Sequence, residues 1–230
     1  MLTKRFITMA ATRGLSEIPT LASLYRDPDS TLSEAHLSSR SDPDYPASDS
    51  INKRIGLIRG DITKLRLDAI VNAANRSLLG GGGVDGAIHR AAGTDLVKEC
   101  KSLGPINTGE AVITKGYNLP SKHVIHTVGP VYAADANPNE SLANCYRESL
   151  KLAVKNGVTT IGFSAISTGV YGFPNLPAAK IACRTVREFL ESEEGSKLTR
   201  VVFVTFVAPD VNAYNETIPR MFPPTKDGSA

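Results

Sequence analysis

The run from Ile70 to Arg90 constrains this chain more than any other stretch. It begins as an apolar strand, carries Asn72 and Asn75 at the strand exit, and passes through four consecutive glycines. It then enters a helix start bearing Asp85 and His89. A glycine-rich turn between a strand and a helix offers bare backbone N–H groups to an anion, and the helix dipole reinforces them. Residues four apart share one helix face, so Asp85 and His89 project together. One short segment therefore combines an anion cradle, two amide side chains, a carboxylate and an imidazole.

The pattern around that run sets the fold class. Short apolar stretches at 54–58, 67–72, 110–115, 123–127, 159–166 and 200–207 read as strands. Between them, 84–92, 94–103, 139–156, 176–193 and 212–221 read as helices, with Thr94 as an N-cap. In the third of these, Leu142, Cys145, Tyr146, Ser149 and Ala153 form the inner stripe. Strands with continuous apolar middles, separated by helices, imply an α/β sheet covered on both faces. Ligands of such sheets sit at the C-terminal strand ends. A second glycine-containing loop, 167–174, also follows a strand and precedes a helix, so the two loops should converge on one sheet edge.

Before this regular region the chain is different. Residues 18–26 have helix-like spacing, whereas 27–50 are rich in Ser, Asp and Pro and read as a linker or an arm lying over the domain, with His36 solvated. The expected organisation is an arm at 1–50, one domain at 51–223 and a frayed tail at 224–230.

Composition narrows the partners. The 230 residues are 41% hydrophobic and 21% charged, with a net charge of +3. That suits an anionic small molecule and argues against nucleic acid. No apolar run reaches the roughly twenty residues of a membrane span, so no membrane partner is expected. Cys100, Cys145 and Cys183 show no CxxC and no metal-type spacing; they read as reduced thiols of an intracellular protein in cytoplasm or nucleus. The basic, acid-free residues 1–13 keep a mitochondrial leader as an alternative. His123 and His126, on one strand, read as structural histidines, since no acid or metal partner lies nearby in sequence.

Two backbone-lined loops and two helix N-termini suit a polyanion such as a pyrophosphate. No G-x-x-x-x-G-K-[ST] is present. Gly81, Gly83 and Gly86 match G-x-G-x-x-G, but the acid that a dinucleotide fold needs at the end of the next strand is missing, because Glu110 starts a strand. Asn72 and Asn75 would either cap the turn or bind sugar hydroxyls. Asp85 either serves the helix dipole or, placed beside an anion site at an electrostatic cost, accepts a proton from water or a ribose hydroxyl, with His89 in the same network.

At these residues the chain resembles the macrodomains, specifically the MacroD type. The resemblance covers residues 52–221 and rests on separate blocks in order: RGDIT from Arg59, NAAN from Asn72, LLGGGGVDG from Leu78, HRAAG from His89, VIHTVGP from Val124 and ISTGVYGFP from Ile166. The most specific element is Asn75, six residues, then Gly82-Gly83-Val84-Asp85. The resemblance implies a three-layer α/β/α sandwich with a mixed, mainly parallel central sheet. It implies binding of ADP-ribose and O-acetyl-ADP-ribose. It also implies hydrolysis of the ester at the distal ribose, which removes mono-ADP-ribose from acidic side chains of modified proteins and deacetylates O-acetyl-ADP-ribose. The alternatives are a non-catalytic ADP-ribose reader and an ADP-ribose 1″-phosphatase.

Carried over residue by residue, Asp61 accepts from the adenine amine with the Ile62 backbone beside it. Asn72, Asn75 and Asp85 surround the distal ribose, and these three with His89, one turn on from Asp85, are the catalytic candidates. Gly82, Gly83, Val84 and Gly86 form the first phosphate loop. Ser167, Thr168, Gly169, Val170, Tyr171, Gly172 and Phe173 form the second, Tyr171 and Phe173 closing over the ribose. Phe206 packs on adenine. The resemblance implies no metal or organic cofactor, and a monomer is expected.

Overall fold

The computed structural model describes residues 11–32 and 44–225. His36, residues 1–10 of the basic stretch that kept a mitochondrial leader as an alternative, and residues 226–230 of the expected tail lie outside the described residues. The architecture is built on a six-stranded sheet. Its strands are β2 (Ile55–Arg59), β4 (Ala69–Ala74), β5 (Ala111–Lys115), β6 (His123–Val128), β7 (Thr160–Phe163) and β8 (Arg200–Thr205). Their order across the sheet is β2-β8-β7-β4-β6-β5. All neighbours are parallel except the edge pair β5·β6. The fold is the expected three-layer sandwich with a mixed, mainly parallel sheet. Two further short strands, β1 (Arg13–Gly14) and β3 (Leu65–Arg66), pair in parallel outside it.

Alternating side chains explain the two covering layers. Val71 of β4 and Ile125 of β6 face one way. There they join α5 (Pro138–Lys155), α6 (Asn175–Glu191) and α7 (Ala208–Met221) through Leu142, Tyr146, Ala182 and Ile218. Ile70 and Ala74 of β4, with Val124 and Val128 of β6, face the other way. They meet α3 (Gly83–Ala92) and α4 (Thr94–Leu103) through Ile88, Ala92, Leu96 and Cys100. By the same period of two, Asn72 and His126 lie on the α3/α4 face, polar members of an otherwise apolar layer.

Several boundaries differ from the sequence expectation, each for a local reason. The 18–26 helix reduces to α1 (Leu21–Leu24), because Pro19 separates it from a preceding 3₁₀ turn and Thr20 caps it with a 3.1 Å bond from Ser23 N. The strand expected over 159–166 stops at Phe163; Ser164 leaves the ladder and donates its hydroxyl to Val71 O at 3.1 Å. Thr94 is not an N-cap: Gly93, at φ +88°, ends α3 and starts α4 in a single residue. The last strand ends at Thr205, and α7 begins at Ala208 with Pro209 in its first turn.

The described parts of the N-terminal arm are packed. Leu21 and Leu32 are buried in the main core. A second short helix, α2 (Asp49–Asn52), leads into β2, and buried Asn52 donates to Pro223 O at 2.9 Å. The Arg187 guanidinium ties the segment before α2 to the C-terminus by donating to Pro46 O at 2.9 Å and Met221 O at 3.0 Å.

Asp68 pins the start of the sheet. Its carboxylate accepts from Lys122 Nζ at 2.7 Å, from the Thr159 amide and hydroxyl at 3.1 and 2.8 Å, and from the Thr160 amide and hydroxyl at 3.0 Å each. Burial alone would raise this carboxyl, but the bonds from Lys122, Thr159 and Thr160 outweigh it and hold it well below the usual carboxylate range. The unfolded state then binds the proton more tightly. The stabilisation is complete above the ordinary carboxylate value near pH 4 and is lost as pH falls toward the lowered native value. Asp68→Ala should destabilise by about 2 kcal/mol at pH 6, with the difference from wild type shrinking below pH 3, as read by urea denaturation at both pH values.

Candidate active site

The strand order decides where the candidate residues meet. β7 and β4 are parallel neighbours, so the loops leaving them stand side by side at the C-terminal sheet edge. β8 and β2 follow on one side and β6 on the other. Asp61 and Ile62 leave β2, Phe206 leaves β8, the 167–173 loop follows β7, and Asn72, Asn75 and the glycine loop belong to β4. A Cβ placed on Gly82, Gly83, Gly169 or Gly172 would meet nothing within 4 Å. On both loops, backbone therefore borders open space, as an anion cradle requires.

The second loop is braced from several sides. Phe173 N donates to Ser167 O at 2.9 Å, and Gly172 N to Gly169 O at 3.0 Å. Ser167 is held at φ +65°, a left-handed conformation uncommon outside glycine, and its buried hydroxyl has no partner among the described residues. Buried Asp210, in the first turn of α7, accepts from Thr168 Oγ1 at 3.2 Å and from Asn175 Nδ2 at 2.7 Å through one carboxylate oxygen. Tyr132, beyond β6, donates its amide to Tyr171 O at 2.9 Å, and its ring lies 4.7 Å from the Phe173 ring. Phe173 itself is 1% exposed and belongs to the core, so it supports the loop from below, while Val170 at the tip is 96% exposed.

At the other end, Asp61 Oδ1 is occupied locally, accepting from the Thr63 amide at 2.9 Å and hydroxyl at 2.7 Å. Phe206 is 57% exposed just past β8, and Arg59 Nε donates to its carbonyl at 3.3 Å. An exposed aromatic just past β8 and an acid just past the neighbouring β2 suit a flat heteroaromatic group.

The catalytic candidates converge. Asp85 sits in the first turn of α3 and is only 4% exposed. Asn72, fully buried on β4, donates Nδ2 to Asp85 Oδ1 at 2.7 Å. Asn75 donates Nδ2 to Gly80 O at 2.9 Å and stands 3.5 Å from Asp85 Oδ2. Its own Oδ1 accepts from the Ser77 amide and hydroxyl at 3.0 and 2.6 Å, closing the turn. Of the two roles the sequence left open, Asn75 takes the turn-shaping one, while Asn72, fully buried, instead holds the acid. His89 Nε2 lies 3.4 Å from Asp85 Oδ1, one helical turn on. Burial raises the Asp85 carboxyl above its ordinary value, against the lowering effects of the Asn72 hydrogen bond and the His89 charge. A buried carboxylate with a raised affinity for protons suits a general base.

The chain matches the family model described as Macro domain over residues 71–182. The ADP-ribose glycohydrolase MACROD2 of Xenopus laevis is 46% identical over 98% of this chain and 54% of its own length. A macro domain-containing protein of Chlorobaculum tepidum is 55% identical over 73% of this chain and 96% of its own. The chain belongs to the macro domain family. It spans about half the length of the Xenopus relative. The solved Trypanosoma brucei macrodomain in complex with ADP-ribose superposes with a TM-score of 0.74 at 42% identity, covering 90% of this chain and 77% of that one.

Within this macro domain, two groups that the sequence did not assign to the site belong to its support. Asp210 fixes the second loop, and its only sequence signal is an acid in a helix first turn. His126 contacts Asn72 directly, because Asn72 and His126 are register partners in β4·β6. The strand pairing, invisible in the sequence, brings them together. His89, Cys100 and His126 also place ligand-type atoms within 4.8 Å of one another. They fit a metal poorly, because both His126 nitrogens already face protein partners, Asn72 Nδ2 and Thr114 Oγ1.

Proposed function

We propose that this macro domain binds ADP-ribose and hydrolyses the ester at its distal ribose. It would thereby release mono-ADP-ribose from acidic side chains of modified proteins and deacetylate O-acetyl-ADP-ribose. Strand order supplies the layout. From β2 to β4 is three strand spacings, about 14 Å, with an aromatic and an acid at the β2–β8 end, the second loop's cradle at β7, and the glycine cradle with the Asn72–Asp85–His89 cluster at β4. An adenosine, a diphosphate and a second ribose fall in that order along such an edge. The relatives' names point to the same chemistry: one is called an ADP-ribose glycohydrolase and another was solved with ADP-ribose.

The observation that carries the hydrolytic reading is Asp85, a carboxylate buried beside an anion cradle. A reader that only holds ADP-ribose has no use for a group whose burial is unfavourable. In the reaction, loop amides fix the diphosphate, binding energy remote from the reacting bond that orients the ribose. A water held between a substrate phosphate and Asp85 attacks the ester carbonyl carbon as Asp85 takes its proton; the bond from that carbon to the ribose oxygen then breaks, the ribose oxygen takes the proton back from Asp85, and the freed acid, the side-chain carboxyl or acetic acid, ionises.

A three-compound panel separates the classes. The protein should release acetate from O-acetyl-ADP-ribose and ADP-ribose from a glutamate-linked conjugate, while leaving ADP-ribose 1″-phosphate intact. Release of phosphate alone would make it a phosphatase, and binding without any product would make it a reader.

A further inference from the structure

Asn72 is the hinge of the catalytic cluster, and its amide orientation is decided by its neighbours. Nδ2 faces Asp85 Oδ1 at 2.7 Å and His126 Nδ1 at 3.1 Å. Flipping the amide would set Oδ1 against the carboxylate, so the NH₂ group must point at both. An NH₂ group only donates; His126 Nδ1 must therefore be bare and accepting. The proton of a neutral ring then sits on Nε2, which stands 3.0 Å from Thr114 Oγ1, and that hydroxyl passes its own proton toward Val124 O at 3.4 Å. With both NH₂ hydrogens committed, Asn72 Oδ1 is left as a buried acceptor with no partner among the described residues. Such a group carries a desolvation penalty, so the amide keeps this orientation because of what its NH₂ end gains from Asp85 and His126.

We infer that His126 is a positioning residue: its imidazole, protonated at Nε2 through Thr114 and bare at Nδ1, locks the Asn72 amide so that its NH₂ end holds Asp85. This rests on the ester-hydrolase reading for its consequence in catalysis, but the side-chain arrangement stands apart from it. Every group packed on the ring agrees. Asn72 from β4 donates to it and Thr114 from β5 accepts. Cys100 from α4 lies 3.7 Å from Nε2 as a thiol, and His89 from α3 lies 6.1 Å away, ring to ring. Burial, with a smaller contribution from the His89 charge, pushes the His126 value down to about 3, so the ring is neutral through the neutral and mildly acidic range. A charged His126 would point an N–H at the Asn72 NH₂ group and break the arrangement.

Long-range ¹H–¹⁵N NMR on the intact wild-type chain reads the tautomer directly. His126 should show a protonated Nε2 and a bare Nδ1 from pH 5 to 9; an Nδ1–H tautomer or a charged ring in that range overturns the inference. Kinetics provide the second arm. His126→Leu should lower kcat on O-acetyl-ADP-ribose about 10²-fold with the Kd for ADP-ribose within about threefold, because a misplaced base harms turnover rather than binding. His126→Asn, which restores an acceptor near Nδ1, should recover most of that loss. Thr114→Val should lower kcat about tenfold in the wild type and have no effect in the His126→Leu background. Wild-type kcat in His126→Leu, or equal losses in kcat and affinity, contradicts a positioning role. If the ring shows the expected tautomer but the chain cleaves no ester, the activity reading fails and the locked Asn72 remains.

Discussion

Asp85→Asn should lower turnover of O-acetyl-ADP-ribose by about 10²- to 10⁴-fold, the range expected when a general base is removed. The Kd for ADP-ribose, read by calorimetry, should stay within a few-fold, since an amide still meets a ribose hydroxyl. The same substitution should stabilise the fold. Burial raises the Asp85 carboxyl above its unfolded value, so the native state holds the proton more tightly. Stability contributed by the protonated form is present below the unfolded value and declines as pH rises through the native one; at neutral pH the charged carboxylate is a net cost. Asparagine removes that cost, for a gain of about 1 kcal/mol at pH 7 and little gain near pH 3. The wild-type rate should in turn fall on the acid side, with an inflection above the ordinary carboxylate range. Opposite movements of stability and turnover are the signature of a group kept for chemistry.

Gly86→Ala should weaken ADP-ribose binding by roughly 10- to 100-fold, because inserting a methyl into a close contact costs about 1–3 kcal/mol. A Cβ there would stand 2.3 Å from Gly81 O and 3.0 Å from an Arg90 guanidinium nitrogen. The arginine end can swing away, but the Gly81 carbonyl is backbone. The first loop would be pushed off α3, and with it the Gly80 carbonyl that Asn75 grips and the open amides of Gly82 and Gly83. Gly82→Ala offers the control, since a Cβ there meets nothing within 4 Å of the protein. Its loss should appear in ligand affinity without the drop in thermal stability expected of Gly86→Ala. Calorimetry and thermal unfolding on the pair separate a collapsed loop from an obstructed one.

What the sequence revealed and what it concealed follow from the range of the forces involved. The glycine run, the strand that feeds it and the helix that leaves it are local, and β4, α3 and the Asp85–His89 pairing were all legible. So was the convergence of the two loops, because a covered parallel sheet leaves its strand exits on one edge. The contacts of His126 were not. They depend on β4 lying beside β6 with Asn72 opposite His126, and on Thr114 arriving from the antiparallel edge strand. No local pattern encodes that register. Asp210 was hidden for the same reason: its partners, Thr168 and Asn175, lie far upstream in the chain. Phe173 carried a different ambiguity. An aromatic in a glycine loop reads as a lid, yet its ring turned inward to meet Tyr132, and only packing could decide that. The arm showed the opposite error of emphasis, since a Ser- and Pro-rich composition gave no hint that Leu32 would be buried in the core.

The central claim is that this macro domain cleaves the bond between ADP-ribose and an acidic side chain. It is tested most directly by incubating the wild-type chain with a protein mono-ADP-ribosylated on glutamate and following intact mass. The account predicts loss of the ADP-ribosyl mass, free ADP-ribose in solution and an unmodified glutamate. A conjugate that survives intact while the chain binds it tightly would contradict the claim.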